Sequence, residues 1–294
     1  MKYQKIVVVG PGLIGGSIGK ALLEKGLSSE VVGICRRGSS AAKALEEKAV
    51  TSAVVENYAE SCAGADIVVI ATPVDAVKGV IDELARCVAG SRTVVTDAGS
   101  TKKDIVDHAS KYADNMFFVG AHPMAGSENS GVENSTPELF EGSVCLVTPV
   151  KGTCPEAKKK ITSFWEDLGA TVKEMAPEEH DIGVAFSSHL PHVAAYALAG
   201  VLEENLPHYL FAGSFRDTTR VASSNADLWS QIFEANRENV LKAVETYRAR
   251  LEMLGDDIRR GKKQRLLARL NKWKGLRDEI FREDKSGSDR RPRG

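Results

Sequence analysis

The sequence predicts an α/β protein: a doubly wound, parallel-sheet domain followed by an all-α domain. Three observations carry this. Short β-branched runs alternate with helical patterns through the first half. A glycine-rich turn, Gly10-Pro11-Gly12-Leu13-Ile14-Gly15, joins the first run to the first helix. After Pro177 no run reads as a strand.

The elements follow in order. Ile6–Val9 is a β-branched strand, and Ser17–Lys25 reads as a helix. Val31–Ile34 is the second strand, with a helix over Ala41–Lys48. Val54 and Val55 mark a short third strand. Ile67–Ala71, Val94–Thr96, Phe117–Val119 and Val144–Val147 supply the next four. A helix over Pro155–Leu168 and a strand near Thr171–Met175 close the first domain. Runs apolar on both faces fit a parallel sheet covered by helices on each side. Pro177 suits the first turn of a helix, with Glu178, Glu179 and Asp181 near its positive end. The stretch Ile182–Leu202 is apolar on nearly every face and predicts a helix buried all round, broken or kinked at Pro191. Val240, Val244, Tyr247, Leu251 and Leu254, then Leu266, Leu270, Trp273 and Ile280, keep helical spacing. The expected division is a dinucleotide-binding domain over 1–175, a helical substrate-binding and dimerisation domain over 176–284, and a disordered polar tail over 285–294.

Composition narrows the function. The 294 residues carry 39 basic and 40 acidic side chains, a net charge of −1. A nucleic-acid binder carries a basic excess, so no nucleic-acid partner is expected. No apolar run is long enough for a membrane span, and the N-terminus lacks a signal-peptide layout. The five cysteines form no CxxC pair, so a reducing, cytoplasmic setting is expected, and no metal site.

The glycine turn is G-x-G-x-x-G between a strand and a helix, the context that makes the pattern a Rossmann-type dinucleotide site. Gly10 permits the tight turn, Gly12 the close approach of a pyrophosphate, and Gly15 close helix–strand packing. Leu13 and Ile14 complete the loop. The second strand ends in Cys35-Arg36-Arg37-Gly38-Ser39, where an NAD site would place an acid. Arg36, Arg37 and Ser39 suit a 2′-phosphate, which favours NADP. Arginine packing on adenine, with NAD used, is the alternative. Thr72 and Pro73 end a central strand, and Asp97-Ala98-Gly99-Ser100 follow the next. All should border the cofactor, because ligands lie beyond the carboxyl ends of the strands. His122 ends the following strand, where an imidazole suits general-base chemistry.

GPGLIGGS, TDAGSTK, GAHPMAGSENSGVE, SHLPH and FRDTTRVASS occur in that order. With these blocks the chain resembles the prephenate dehydrogenases and the related arogenate dehydrogenases of tyrosine biosynthesis, over about Ile6–Leu276. The resemblance implies oxidative decarboxylation of prephenate to 4-hydroxyphenylpyruvate, or of arogenate to tyrosine, with hydride passing to NAD(P)+. It implies that His122 accepts the proton of the ring hydroxyl. Ser100 is then the serine that bonds this hydroxyl and orients the histidine. Arg220 grips the ring carboxylate, His189 and His192 line the pocket, Glu128 is a pocket acid, and Ser127 stands beside it. A homodimer through the helical domain is also expected. Asn225 and Trp229 are expected to pack their own segment. The chain length leaves no room for the chorismate mutase or regulatory domain fused in some relatives, so a stand-alone dehydrogenase is expected. Two rival readings were weighed. A 3-hydroxyacid-type dehydrogenase would need an interdomain lysine, which Ile182–Leu202 lacks. A non-catalytic dinucleotide sensor would not need His122, Ser100 and Arg220 together.

Overall fold

The structure, a computed structural model, describes residues 1–126, 129–204 and 207–287, with side chains to 282. By packing the chain divides into two compact units, Met1–Val240 and Leu241–Gly294.

The first unit holds an eight-stranded sheet. Its strands are β1 (Tyr3–Val9), β2 (Ser28–Cys35), β3 (Ser52–Val55), β4 (Ile67–Ile70), β5 (Val94–Asp97), β6 (Phe117–Pro123), β7 (Val144–Thr148) and β8 (Thr171–Glu174). Their spatial order is β3-β2-β1-β4-β5-β6-β7-β8. The order reverses between β1 and β4, which opens a crevice beyond their carboxyl ends. Helices α1 (Leu13–Glu24), α2 (Gly38–Glu46), α3 (Tyr58–Cys62), α4 (Val74–Cys87), α5 (Lys103–Ala109) and α6 (Pro155–Asp167) connect them.

The valine-rich run of β1 shows why the sheet is covered on both faces. Successive side chains on a strand point to opposite sides. Ile6 and Val8 therefore join a core with Ile18, Leu22, Phe164 and Trp165 of α1 and α6. Val7 and Val9 join a second core with Val77, Ile81 and Leu84 of α4 and Ile105 of α5.

The sheet departs from the all-parallel expectation at one place. β7 runs antiparallel to β6, pairing Leu146 with His122. A parallel neighbour needs a crossover, usually helical, to carry the chain back. Residues 124–143 supply only a 3₁₀ turn at Val132–Asn134. That loop lies on α1 instead: Lys20 Nζ donates to Ser135 O at 2.9 Å, and Thr136 N–H to Ser17 Oγ at 3.0 Å.

Beyond the sheet come α7 (Pro177–Val184), α8 (Leu190–Ala199), α9 (Gly213–Thr219), α10 (Ala226–Ala235), α11 (Arg237–Arg259) and α12 (Lys263–Gly287). A π-turn, Ala185–His189, separates α7 from α8. Pro191 explains it. Proline has no N–H for the helical ladder, and its ring crowds the carbonyl one turn back, so the helix widens there. The expected all-round burial of Ile182–Leu202 is not found. Ile182 is 51% exposed and Phe186 44%. Val201 and Leu202 are likewise exposed, so the outer apolar side chains are left uncovered by a single chain. α12 continues to Gly287, past the expected start of the tail at 285; residues 288–294 lie outside the described residues.

In the second unit, Asp257 is buried and accepts from Arg269 Nε at 2.9 Å, and from Arg265. Two arginines of α12 are thus tied to one carboxylate.

Candidate active site

The crevice beyond β1, β4, β5 and β6 has a volume of about 580 Å³. Gly12, Leu13, Ile14, Thr72, Pro73, Ser100, His122, His189, His192 and Arg220 all line it. The first unit alone therefore brings together residues spread over two hundred positions.

The dinucleotide end is built from backbone. Gly10 has φ +84°, and a Cβ there would lie 2.9 Å from Ala71 O. A Cβ on Gly15 would lie 2.5 Å from Gly10 O, so α1 can approach the turn only with glycine at this position. Gly12 differs: a Cβ there would meet no atom within 4 Å, and would project into the open crevice. No side chain caps the N-terminus of α1, and no acid stands in its first turn. Its free N–H groups and positive end suit a pyrophosphate. Thr72 Oγ1 is buried without a hydrogen-bond partner among the described residues. These features fit a dinucleotide, whose oxygens would satisfy both.

Arg36, Arg37 and Ser39 lie exposed in the turn after β2 and at the start of α2; they do not line the crevice. Asp97 is corrected outright. Its carboxylate is fully buried and accepts from Gly99 N–H at 2.9 Å, Ala121 N–H at 3.2 Å and the Lys102 ammonium. It thus ties the ends of β5 and β6 together and has no face for the cofactor. Lys102, also fully buried, donates in addition to Ala121 O at 2.8 Å.

At the substrate end, His122 Nδ1 lies 2.8 Å from His180 Nε2. His180 Nδ1 lies 2.7 Å from Asp181 Oδ1. Asp181 also accepts from the N–H groups of Lys102 at 2.7 Å and Lys103 at 3.0 Å, at the start of α5. Burial alone would raise the Asp181 carboxyl. The bonds from His180, Lys102 and Lys103 outweigh it and hold the carboxyl below its usual range. Burial, then the neighbouring His180, Lys102 and His189, push His122 well below the ordinary imidazole value. The histidine is thus held neutral, as a base must be.

Nothing in the sequence singles out His180. It stands 58 positions from His122 in a helix whose acids read as ordinary first-turn residues. Ser100 lines the crevice, and among the described residues the hydrogen-bond partner of the His122 ring is His180.

His189 is buried, and its Nδ1 lies 3.3 Å from Asn236 Nδ2, which also donates to Asp181 O at 2.7 Å. Burial lowers His189 to about 4. His192 donates from Nδ1 to Ser188 O at 2.9 Å, the carbonyl four residues back. Its ring stacks on Trp229 at 3.4 Å between centroids and 19° between planes. Trp229 therefore lines the site as well as packing its own segment. Asn225 keeps the packing role, capping α10 through Leu228 N–H at 3.0 Å. Burial lowers His192, the bond to Ser188 O opposes this, and the Arg220 charge adds to the lowering. Ser127 and Glu128 lie outside the described residues. Among the described residues no group of three or more His, Cys, Asp or Glu could hold a metal ion.

Known proteins match this chain in sequence and fold. The family model for the prephenate dehydrogenase nucleotide-binding domain matches residues 18–174, and that for the prephenate dehydrogenase dimerization domain matches 176–272. Prephenate dehydrogenase of Bacillus subtilis is 31% identical over 285 residues, covering 94% of this chain and 76% of the relative. The crystal structure of A. aeolicus prephenate dehydrogenase with hydroxyphenyl propionate and NAD+ superposes with a TM-score of 0.88 at 33% identity, over 95% of this chain and 99% of that one. The structure of Synechocystis arogenate dehydrogenase gives 0.79 at 30%, over 94% and 100%. With a shared fold, a shared division into nucleotide-binding and dimerization segments, and matches over nearly the whole length, the chain belongs to the prephenate dehydrogenase family.

Proposed function

We propose that this chain oxidatively decarboxylates prephenate to 4-hydroxyphenylpyruvate with NAD(P)+. The observation that carries the reading is a histidine held through one ring nitrogen, in the same crevice as a glycine cradle and an arginine. Bound NAD(P)+ supplies the acceptor for the hydride that leaves the hydroxyl-bearing ring carbon. His122 takes the hydroxyl proton at Nε2 as that carbon is oxidised. Arg220 holds the ring carboxylate until it departs as CO2, its bonding electrons closing the aromatic ring. His122 then returns its proton to the phenolate oxygen, so the enzyme ends in its starting state. Ser100 bonds the hydroxyl, and His189 and His192 line the ring pocket. Formation of the aromatic ring drives the step, so positioning, a proton acceptor and exclusion of water suffice.

Arogenate is the second reading, favoured by the likeness to Synechocystis arogenate dehydrogenase. NADP is the preferred cofactor in this proposal, because β2 ends at Cys35 with two exposed arginines following. The chain acts as a homodimer, a reading supported by the dimerization-domain match and by the exposed Ile182 and Phe186. Among the described residues no helix is long and apolar enough to cross a membrane.

The test is reduction of NAD+ and NADP+ followed with prephenate and with arogenate. Turnover of prephenate with either cofactor is the expected result. Turnover of arogenate alone selects the second reading, and turnover of neither overturns both. Sedimentation of the purified chain checks the dimer.

A further inference from the structure

We propose that Asp181 and His180 are positioning residues: they fix His122 in the tautomer whose Nε2 is bare, and share the positive charge once His122 is protonated. The inference rests on the function proposed above and extends it to two residues outside that reading.

Three side chains, Asp181, His180 and His122, lie along one line of hydrogen-bonding atoms. Asp181 carries bonds from the N–H groups of Lys102 and Lys103, both of which can only donate. A carboxylate so placed is an acceptor. His180 must then donate to it from Nδ1, across 2.7 Å. A neutral imidazole has one N–H, so His180 Nε2 is left with a lone pair. That nitrogen lies 2.8 Å from His122 Nδ1, and a bond there needs one proton, which must sit on His122 Nδ1. His122, neutral in turn, has no proton on Nε2. That nitrogen has no hydrogen-bond partner among the described residues, and its ring lines the crevice. With both rings neutral, no other arrangement satisfies every contact.

The surroundings hold the line in place. His180 is fully buried and Asp181 nearly so. Asn236 binds the Asp181 carbonyl, and Lys102 binds the Ala121 carbonyl next to His122. One residue, Lys102, therefore touches both ends: its N–H meets Asp181, and its ammonium meets Asp97 and Ala121. When His122 Nε2 takes the hydroxyl proton, the proton on His122 Nδ1 can move to His180 Nε2. The charge then sits between His122 and the Asp181 carboxylate, and no proton leaves the enzyme. It returns along the same path when the phenolate is protonated.

Nitrogen NMR of the enzyme labelled in its histidines, without substrate or cofactor, reads the tautomer directly. Expected is a protonated Nδ1 and a bare Nε2 for His122, assigned by its loss in His122→Asn. A proton on Nε2 overturns the proposal whatever the enzyme turns over. In His180→Leu, His122 Nδ1–H loses its acceptor, so the spectrum should shift toward the Nε2–H form. There kcat for prephenate should fall about 100-fold, within the range of general acid–base effects, with KM changed little. An unchanged kcat, or a fall in kcat/KM carried by KM alone, overturns it. His180→Gln keeps an oxygen that can accept from His122 Nδ1–H. It should retain the wild-type tautomer and lose less kcat than the leucine variant; equal loss refutes the tautomer role. If the leucine variant does not fold, the wild-type spectrum and the glutamine variant still decide. A wild type inactive on prephenate and arogenate would instead defeat the functional reading, leaving the spectrum to judge the tautomer.

Discussion

The two ends of the crevice are built from different materials. The dinucleotide end is made of backbone and small residues: the turn at Gly10, the open space at Gly12 and the uncapped start of α1. The substrate end is made of side chains that meet across long separations, such as His122 with His180 and Asp181 with the start of α5. Backbone sites need only the right local conformation, which a few consecutive residues can encode. Side-chain networks need several elements packed in register first, and each member depends on the others. The dinucleotide end should therefore tolerate changes that leave the turn intact. The substrate end should lose function, stability or both when one partner is removed.

Five substitutions can break or sharpen that contrast. The largest expected effect is His122→Asn, which should lower kcat for prephenate by at least ~100-fold, as loss of a general base does. Its dinucleotide affinity, measured by fluorescence titration, should be nearly kept. A parallel loss of affinity would mean that the two ends are not separable. Next comes Lys102→Met, which leaves the buried Asp97 carboxylate without its cation. Breaking one side of such a pair typically costs ~3–5 kcal/mol, to be read from urea unfolding. A loss below about 1 kcal/mol, no larger than a typical single hydrogen bond contributes, would show that the backbone donors alone satisfy Asp97.

Arg220→Ala should act on binding. A hydrogen bond to a charged group contributes about 1.5–3 kcal/mol, so KM for prephenate should rise roughly tenfold to a hundredfold, with a smaller change in kcat. An unmoved KM would remove Arg220 from the carboxylate. The smallest expected effect is Gly12→Ala. Its Cβ meets nothing in the protein, so stability should stay within about 0.5 kcal/mol of the parent. Dinucleotide affinity should fall about tenfold, which corresponds to about 1.4 kcal/mol. Gly15→Ala is the control. Its Cβ would strike Gly10 O, so it should lose roughly 1–3 kcal/mol of stability by overpacking. Similar behaviour of the two alanines would erase the distinction between cradle and packing glycine.

The sequence by itself determined the strands, their double-faced burial, the glycine cradle and the strand-end positions of Thr72, Ser100 and His122. Each of these depends on local spacing: alternation along a strand, glycine at a turn, or a residue at the carboxyl end of an apolar run. Family motifs extended that reach to Arg220, His189 and His192. Tertiary structure decided the rest. β7 turned antiparallel because its connection lies on α1 without a crossover helix. Asp97 turned inward because Lys102, Gly99 and Ala121 converge on it. The outer residues of Ile182–Leu202 stayed exposed because no other described element of the chain covers them. His180 and Asp181 became partners of His122 and of the start of α5 because α7 packs against α5 and reaches the end of β6. A one-dimensional pattern records what a residue can do, but a hydrogen bond forms only where folding sets two groups about 3 Å apart, whatever their separation along the chain.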